Sequence, residues 1–131
     1  MQKNQSKQEN KLLTETELEL MQIVWHLEEA SVNDVIKHLP EQRQLAYTSV
    51  STILRILEKK GVLLSRKQGK SHIYKPELSK AEYERRSLGH LVTNVFSGAP
   101  SSLVRTLLNS ENLSPSDLTE IKKMIEERLE P

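Results

Sequence analysis

The sequence contains no cysteine in its 131 residues, and this absence excludes several kinds of site. Disulfide bonds, zinc-thiolate centres and cysteine redox switches all require the thiol group. A chain without cysteine is also typical of a reducing compartment, so we expect a cytoplasmic location.

Long apolar runs are absent as well. No stretch approaches the roughly 18 consecutive apolar residues of a membrane helix, and the N-terminus lacks the apolar segment of a secretion signal. Hydrophobic residues make up 36% of the chain and aromatic residues 4%. The length of 131 residues predicts one or two small domains, and these low fractions predict a thin core that oligomerisation completes.

Motifs for catalysis and metal binding are missing too. With four glycines, the chain has no glycine-rich phosphate loop, nucleophile elbow or zinc-protease motif. Its histidines, His26, His38, His72 and His90, are scattered and include no i, i+4 pair. The sequence therefore predicts no enzyme activity, no metal site and no cofactor.

Residues 46–61 predict a helix with two unlike faces, and the rest of the chain is organised around it. Four apolar residues from Val50 to Leu57 recur at i, i+3, i+4 and i+7, which makes one apolar stripe. Gly61 is a typical helix stop. The opposite side gathers hydroxyl and basic side chains, those of Thr48, Ser51, Thr52, Arg55 and Lys59.

After this helix the hydrophobic period falls to about two, which indicates a β-hairpin. Residues 62–66 and 72–75 are the expected strands, residues 68–71 form the turn, and Pro76 ends the second strand. A hydroxyl-rich helix followed at once by a basic hairpin predicts a winged helix-turn-helix, in which the helix enters the DNA major groove and the hairpin contacts phosphates.

Positive charge is concentrated in this same segment. Residues 43–75 contain eight Lys and Arg against Glu58 alone, whereas the whole chain has a net charge of +1. A local basic surface on a nearly neutral protein is typical of phosphate binding.

Two shorter helices are predicted before the central one. Thr14 and Glu17 form a capping box that opens the first helix, which runs to about residue 27 with Trp25 on its core face. Ser31 caps the second helix, and Pro40 ends it.

Beyond the hairpin the pattern predicts three more helices. The first opens at a capping box of Ser79 and Glu82, and residues 98–100 break it. The second starts at Ser101 or Ser102, and the third starts over residues 114–117 with a capping serine and a proline.

These helices are too small to form a core of their own, which favours a homodimer over folding back onto the winged domain. The predicted dimerisation residues are Leu88, Leu91, Val92, Val95, Phe96, Leu103, Leu107, Leu118, Ile121 and Ile125.

The predicted fold is mainly α-helical with a small β-hairpin wing. Residues 1–10 are polar and aperiodic and predict a disordered tail. Residues 11–76 form the winged helix DNA-binding domain, and residues 77–131 form the helical dimerisation domain.

Three motifs in order carry a resemblance to a known family. They are residues 13–25, which end in Val24-Trp25, residues 46–61 and residues 74–76. Together they resemble the penicillinase repressor family (BlaI/MecI/CopY). The resemblance implies a homodimeric transcriptional repressor that binds a pseudo-palindromic double-stranded DNA operator, in this family often with TACA/TGTA half-sites.

We expect the central helix to read the DNA and the hairpin to hold its backbone. Arg55 is the candidate for a bidentate contact to guanine, and Lys59 for a phosphate contact. The predicted helix contacts are Tyr47, Thr48, Ser49, Ser51, Thr52, Arg55 and Lys59. The predicted wing contacts are Arg66, Lys67, Gly69, Lys70 and His72.

The resemblance also bears on how the protein is switched. In the antibiotic-responsive branch, a membrane sensor peptidase leads to cleavage of the repressor at an Asn-Phe bond. This chain has Thr106-Leu107 at the aligned position. The copper-responsive branch uses a cysteine cluster, which is absent here. The inducing signal stays open.

A winged domain can also serve protein-protein assembly without binding DNA. Such an adaptor predicts an apolar exposed surface on the central helix. The hydroxyl and basic residues of that helix favour DNA instead.

Overall fold

The computed structural model describes residues 12–131, so the predicted tail over residues 1–10 lies outside the described residues. This part of the chain contains six helices and one two-stranded antiparallel sheet, which confirms the mainly helical fold with a hairpin wing. It divides into two compact units, one that ends at Ser87 and one over Leu88–Pro131.

From residue 12 onward, the first unit contains three helices ahead of the hairpin: α1 over Glu15–Leu27, α2 over Val32–Lys37 and α3 over Tyr47–Lys59. Thr14 and Ser31 cap α1 and α2, and in both cases the acidic side chain three residues on bonds back to the cap N–H. These capping boxes supply partners for amides that a helix start leaves unsatisfied.

The wing consists of β1 over Leu63–Gln68 and β2 over Ser71–Pro76. Lys67 pairs with His72 near its tip. The strands run closer to the turn than predicted and leave a two-residue turn, in which Gly69 has a φ of +63°. A left-handed φ of this kind suits glycine.

A single antiparallel bridge extends the small sheet by one more residue. The Ala30 N–H donates to the Tyr74 carbonyl at 2.9 Å, and the Tyr74 N–H donates to the Ala30 carbonyl at 2.8 Å. This bridge attaches β2 to the segment between α1 and α2.

The core of the first unit lies between the three helices and the hairpin. Trp25 is half-buried at its edge, where the indole N–H donates to the Leu78 carbonyl at 2.9 Å. The buried apolar residues are Leu20, Met21, Val24, Ala30, Val32, Val35, Val50, Leu54, Leu57, Val62, Leu63 and Tyr74.

Helix α4 spans Lys80–Asn94, and its first turns belong to the first unit. The Tyr83 ring lies 5.7 Å from the Trp25 ring, and its hydroxyl accepts a hydrogen bond from the Leu13 N–H at 3.1 Å. These contacts explain why the unit continues beyond the hairpin. The functional border between residues 76 and 77 stays a prediction.

The second unit contains the end of α4, α5 over Pro100–Leu108 and α6 over Pro115–Leu129. Two sequence expectations about helix ends were wrong. Pro100 opens α5 rather than helping to break α4, because a proline at the first helical position loses no helical hydrogen bond. Helix α4 ends at Asn94, ahead of Ser97 and Gly98, which have positive φ values of 52° and 79°.

The predicted start of α6 is confirmed. The Ser114 hydroxyl accepts from the Asp117 N–H, and the Asp117 carboxylate accepts from the Ser114 N–H. Within residues 12–131, no helix is long and apolar enough to cross a membrane.

Candidate nucleic-acid interface

Helix α3 has the two faces that its sequence predicts. Val50, Leu54 and Leu57 are fully buried, whereas Thr52 and Arg55 on the other side are exposed. Thr48, Ser49 and Lys59 are exposed as well, and Ser51 is half-buried. Across residues 12–131, no hydrogen-bond partner is present for the Thr48, Ser51 or Thr52 hydroxyls, which leaves these groups available to bond a ligand.

The first turn of α3 also presents backbone donors. Its N-cap is Ala46, which makes no side-chain capping bond, in contrast to the caps of α1 and α2. The amides at Tyr47, Thr48 and Ser49 therefore keep their N–H groups for an external acceptor, and the positive end of the helix dipole favours an anion there. The Tyr47 side chain is 53% exposed at the same end.

The two predicted contact elements meet at one groove. A cavity of about 260 Å³ is lined by Tyr47, Ser51 and Arg55 of α3 and by Lys70 and His72 of the hairpin. The start of α2 contributes further polar residues, Ser31 and Asn33. Sequence reasoning missed these two as site residues: the capping box located the helix end but gave no sign that it adjoins α3.

Polar contacts at the base of this groove join α3 to the hairpin. The Ser65 hydroxyl donates to the Glu58 carboxylate at 2.5 Å. Burial raises the pKa of the Tyr74 hydroxyl, the Glu58 carboxylate raises it further, and the Arg55 guanidinium, which hydrogen-bonds this hydroxyl, partly opposes them. Arg55 and Tyr74 both line the groove, and the Arg55 side chain stays exposed.

The two faces of the hairpin differ in surroundings. Lys67 and His72 form a cross-strand pair and share a face with Tyr74, whereas Arg66 lies on the other face. The Arg66 guanidinium forms an ion pair with the Glu29 carboxylate. Gly69 and Lys70 occupy the exposed tip between the strands.

The local positive charge is smaller than the sequence count suggests. Three of the eight cations over residues 43–75 pair with carboxylates of the first helix or of the loop after it. Arg43 pairs with Glu19 at 3.0 Å, and Lys60 pairs with Glu17 at 2.6 Å. In the described part of the chain, the other five have no carboxylate partner: Arg55, Lys59, Lys67, Lys70 and Lys75.

The residues predicted for dimerisation all lie in the second unit, and none of them is buried there. Leu88, Leu91, Val95, Leu107, Leu118 and Ile125 are exposed by 39–64%. Val92, Phe96, Leu103 and Ile121 are partly covered. Among residues 12–131, no group of three or more His, Asp or Glu side chains is arranged to hold a metal ion.

This fold and this surface define a winged helix-turn-helix protein of the DNA-binding class. The family model described as penicillinase repressor matches residues 13–127. The chain belongs to the penicillinase repressor family, and it is a repressor of that type.

Relatives match over most of their length. The penicillinase repressor of Bacillus licheniformis is 27% identical over 115 residues, which cover 88% of this chain and 90% of that protein. The methicillin resistance regulatory protein MecI of Mammaliicoccus sciuri is 24% identical and is covered to 94%. The solved DNA-binding domain of the repressor BlaI is 31% identical, with a TM-score of 0.49, over 54% of this chain and 87% of that domain.

Proposed function

We propose that the protein acts in the cytoplasm as a homodimer on a pseudo-palindromic DNA operator and represses the genes behind it. One observation carries this proposal: the exposed hydroxyl and basic face of α3 meets the cationic hairpin at a single groove. Helix α3 lies in the major groove, and the wing contacts the adjacent sugar-phosphate backbone.

Base reading falls to side chains along the exposed face of α3. Arg55 can donate two parallel hydrogen bonds to guanine, and the Thr48 and Thr52 hydroxyls and methyls can contact base edges and thymine methyls. Ser51 serves the same purpose nearer the hairpin. Lys59, at the end of the helix, contacts phosphate.

The hairpin and the start of α3 hold the DNA backbone without reading sequence. Lys67, Lys70 and His72 contact sugar-phosphate, and Gly69 allows the turn to approach it closely. The uncapped amides at Tyr47 and Ser49 bind a phosphate at the entry to the groove.

The second unit supplies the dimer contact in this proposal. Residues 88–131 contain no fully buried side chain, yet they form three amphipathic helical segments with apolar residues exposed to solvent. A two-fold partner would cover these residues and set two α3 helices about one DNA turn apart, roughly 34 Å. Two linked half-sites bind far more tightly than one.

The signal that releases the protein from DNA stays open, and one candidate position for it is the bond aligned with the family cleavage site. The Thr106–Leu107 bond lies inside helix α5 and is exposed. A sensor peptidase that acts here would need a specificity other than Asn-Phe.

A gel-shift assay with the DNA upstream of the protein's own gene, at two salt concentrations, tests the proposal. We expect a shift that weakens strongly with salt while a preference over random DNA survives. Absence of any shift at low salt would contradict the proposal and indicate an adaptor that binds protein.

A further inference from the structure

Arg66, one of the predicted wing contacts, forms an ion pair on the outer face of the β-hairpin, and the DNA contacts proposed above do not include it. Alternation along the strands places Arg66 and Lys75 on this face, away from the core residue Tyr74. An Arg66 guanidinium nitrogen donates to the Glu29 carboxylate, and a second one contacts the Gln68 side-chain oxygen at 3.4 Å. The Arg66 and Glu29 side chains are 52% and 47% exposed, so the pair faces solvent.

The backbone fixes the position of Glu29 beside the hairpin. Its neighbour Ala30 makes two hydrogen bonds with Tyr74, at 2.9 and 2.8 Å, in antiparallel register. In that register Glu29 lies next to Lys75 on the adjoining strand. The Glu29 carboxylate thus forms an ion pair with Arg66, and the register places Glu29 beside a second cation of the wing, Lys75.

We propose that Glu29 acts as an internal competitor of DNA phosphate for Arg66 and so limits the affinity of the wing for any DNA sequence. This inference rests on the proposed DNA-binding function. An exposed ion pair is weak, but a phosphate must replace it before Arg66 can add a contact. Glu29 acts through Arg66, so it is a positioning residue whose effect appears in the salt dependence of binding.

The test uses the full chain and a random-sequence 30-base-pair duplex, with binding measured by fluorescence anisotropy over a salt series. In the Glu29→Gln variant, Arg66 loses its carboxylate partner and gains a phosphate. We expect the affinity at low salt to rise several-fold, and the slope of log affinity against log salt to steepen by about 0.9, the value for one added phosphate contact. Thermal unfolding checks that the variant is folded.

Two further variants assign the effect to Arg66. We expect Arg66→Gln alone to keep the wild-type slope, because Arg66 makes no phosphate contact while Glu29 holds it. The double variant Glu29→Gln/Arg66→Gln should return to the wild-type slope. If Arg66→Gln alone lowers the slope by about 0.9, Arg66 already contacts phosphate and the inference is overturned.

Glu28→Gln is the matched control. Glu28 precedes Glu29, and its substitution changes the net charge by the same amount. Within residues 12–131 the Glu28 carboxylate has no ion-pair partner. We expect this control to leave the slope unchanged. An equal gain in both variants, or no gain in Glu29→Gln, overturns the inference and leaves the proposed function standing. A wild-type protein that binds no duplex at all overturns both.

Discussion

At the scale of a single residue, Arg55 is exposed and its guanidinium is also held by a neighbouring side chain. It projects from the polar face of α3, and its guanidinium interacts with the Tyr74 hydroxyl. A guanidinium whose direction is partly set loses less conformational freedom when it binds two acceptors of a guanine. We therefore assign to it the strongest sequence preference in the site.

Replacing Arg55 by alanine should weaken operator binding by about 1–3 kcal/mol and relax the preference at one base pair. The affinity for random DNA should fall much less, since a specific base contact adds little to binding there. Anisotropy titrations of both duplexes measure the difference. Arg55→Lys keeps the charge but not the planar fork, so it should also lose the preference; equal losses on both duplexes would contradict base reading by Arg55.

Glu17 stabilises the fold that positions α3. Its carboxylate is buried, accepts from the Thr14 N–H at 2.9 Å and pairs with Lys60, the C-cap residue of α3. Burial alone would raise the pKa of Glu17, but the hydrogen bonds from Lys60 and Thr14 outweigh it and the pKa is lowered. A lowered pKa in the folded state means that the ionised form stabilises the protein.

The lowered pKa of Glu17 determines how the stability of the protein depends on pH. The contribution of Glu17 is fully present above its unfolded-state pKa and is lost as the pH falls through the folded-state pKa. Glu17→Gln should lower the free energy of unfolding at neutral pH by about 1.5–3 kcal/mol and flatten the acid part of the stability curve. Urea unfolding across pH measures both. The control is Glu15→Gln, an exposed neighbour; if both variants behave alike, the buried pair contributes nothing specific.

At the scale of elements, the sequence predicted the features that depend on residues close together in the chain. The apolar stripe from Val50 to Leu57, the capping boxes at Thr14 and Ser31 and the period-two strands of the hairpin all depend on residues a few positions apart. Contacts between distant segments have no such period. The pairs Glu17–Lys60 and Glu29–Arg66 join residues 43 and 37 positions apart. The charge count over residues 43–75 therefore included Lys60 and Arg66 as cations available for DNA.

The lining of the groove between α3 and the hairpin was also only partly predictable from the sequence. Sequence reasoning placed α3 and the hairpin side by side but missed Ser31 and Asn33, because one bridge between Ala30 and Tyr74 brings α2 close to them. A single bridged pair leaves no repeated pattern in a sequence. The start of α5 at Pro100 was missed for a different reason: proline is compatible both with a helix end and with a first helical turn.

The wing should behave as a backbone-binding element. Lys70 is exposed at the tip and borders the groove, so Lys70→Ala should lower affinity for operator and random DNA by the same factor. The salt slope should fall by about 0.9. Lys123→Ala on α6 changes the charge equally and should leave both quantities unchanged. A loss confined to the operator would show that Lys70 reads a base.

At the scale of the whole molecule, apolar burial is divided unevenly. Every buried apolar residue in the described part of the chain belongs to the first unit, whereas Ile125 is 50% exposed and Leu129 is 77% exposed on α6 of the second. At about 25 cal/mol per Å² of apolar surface removed from water, such residues stabilise a helix only when another surface covers them. We propose that this surface belongs to a second copy of the chain, which would match it under two-fold symmetry.

Replacing Ile125 by glutamate places a charge in this surface, and burying it in a dimer contact would be costly. We expect the variant to sediment with half the mass of the wild type and to lose operator affinity by at least tenfold, because each half-site is then bound separately. Lys123→Glu, on the other side of α6, introduces the same side chain where no burial is expected and should stay dimeric. Analytical ultracentrifugation with operator titrations measures both. A wild-type protein that sediments as a single subunit would remove the basis for two-site recognition, and the first unit would then have to bind its DNA alone.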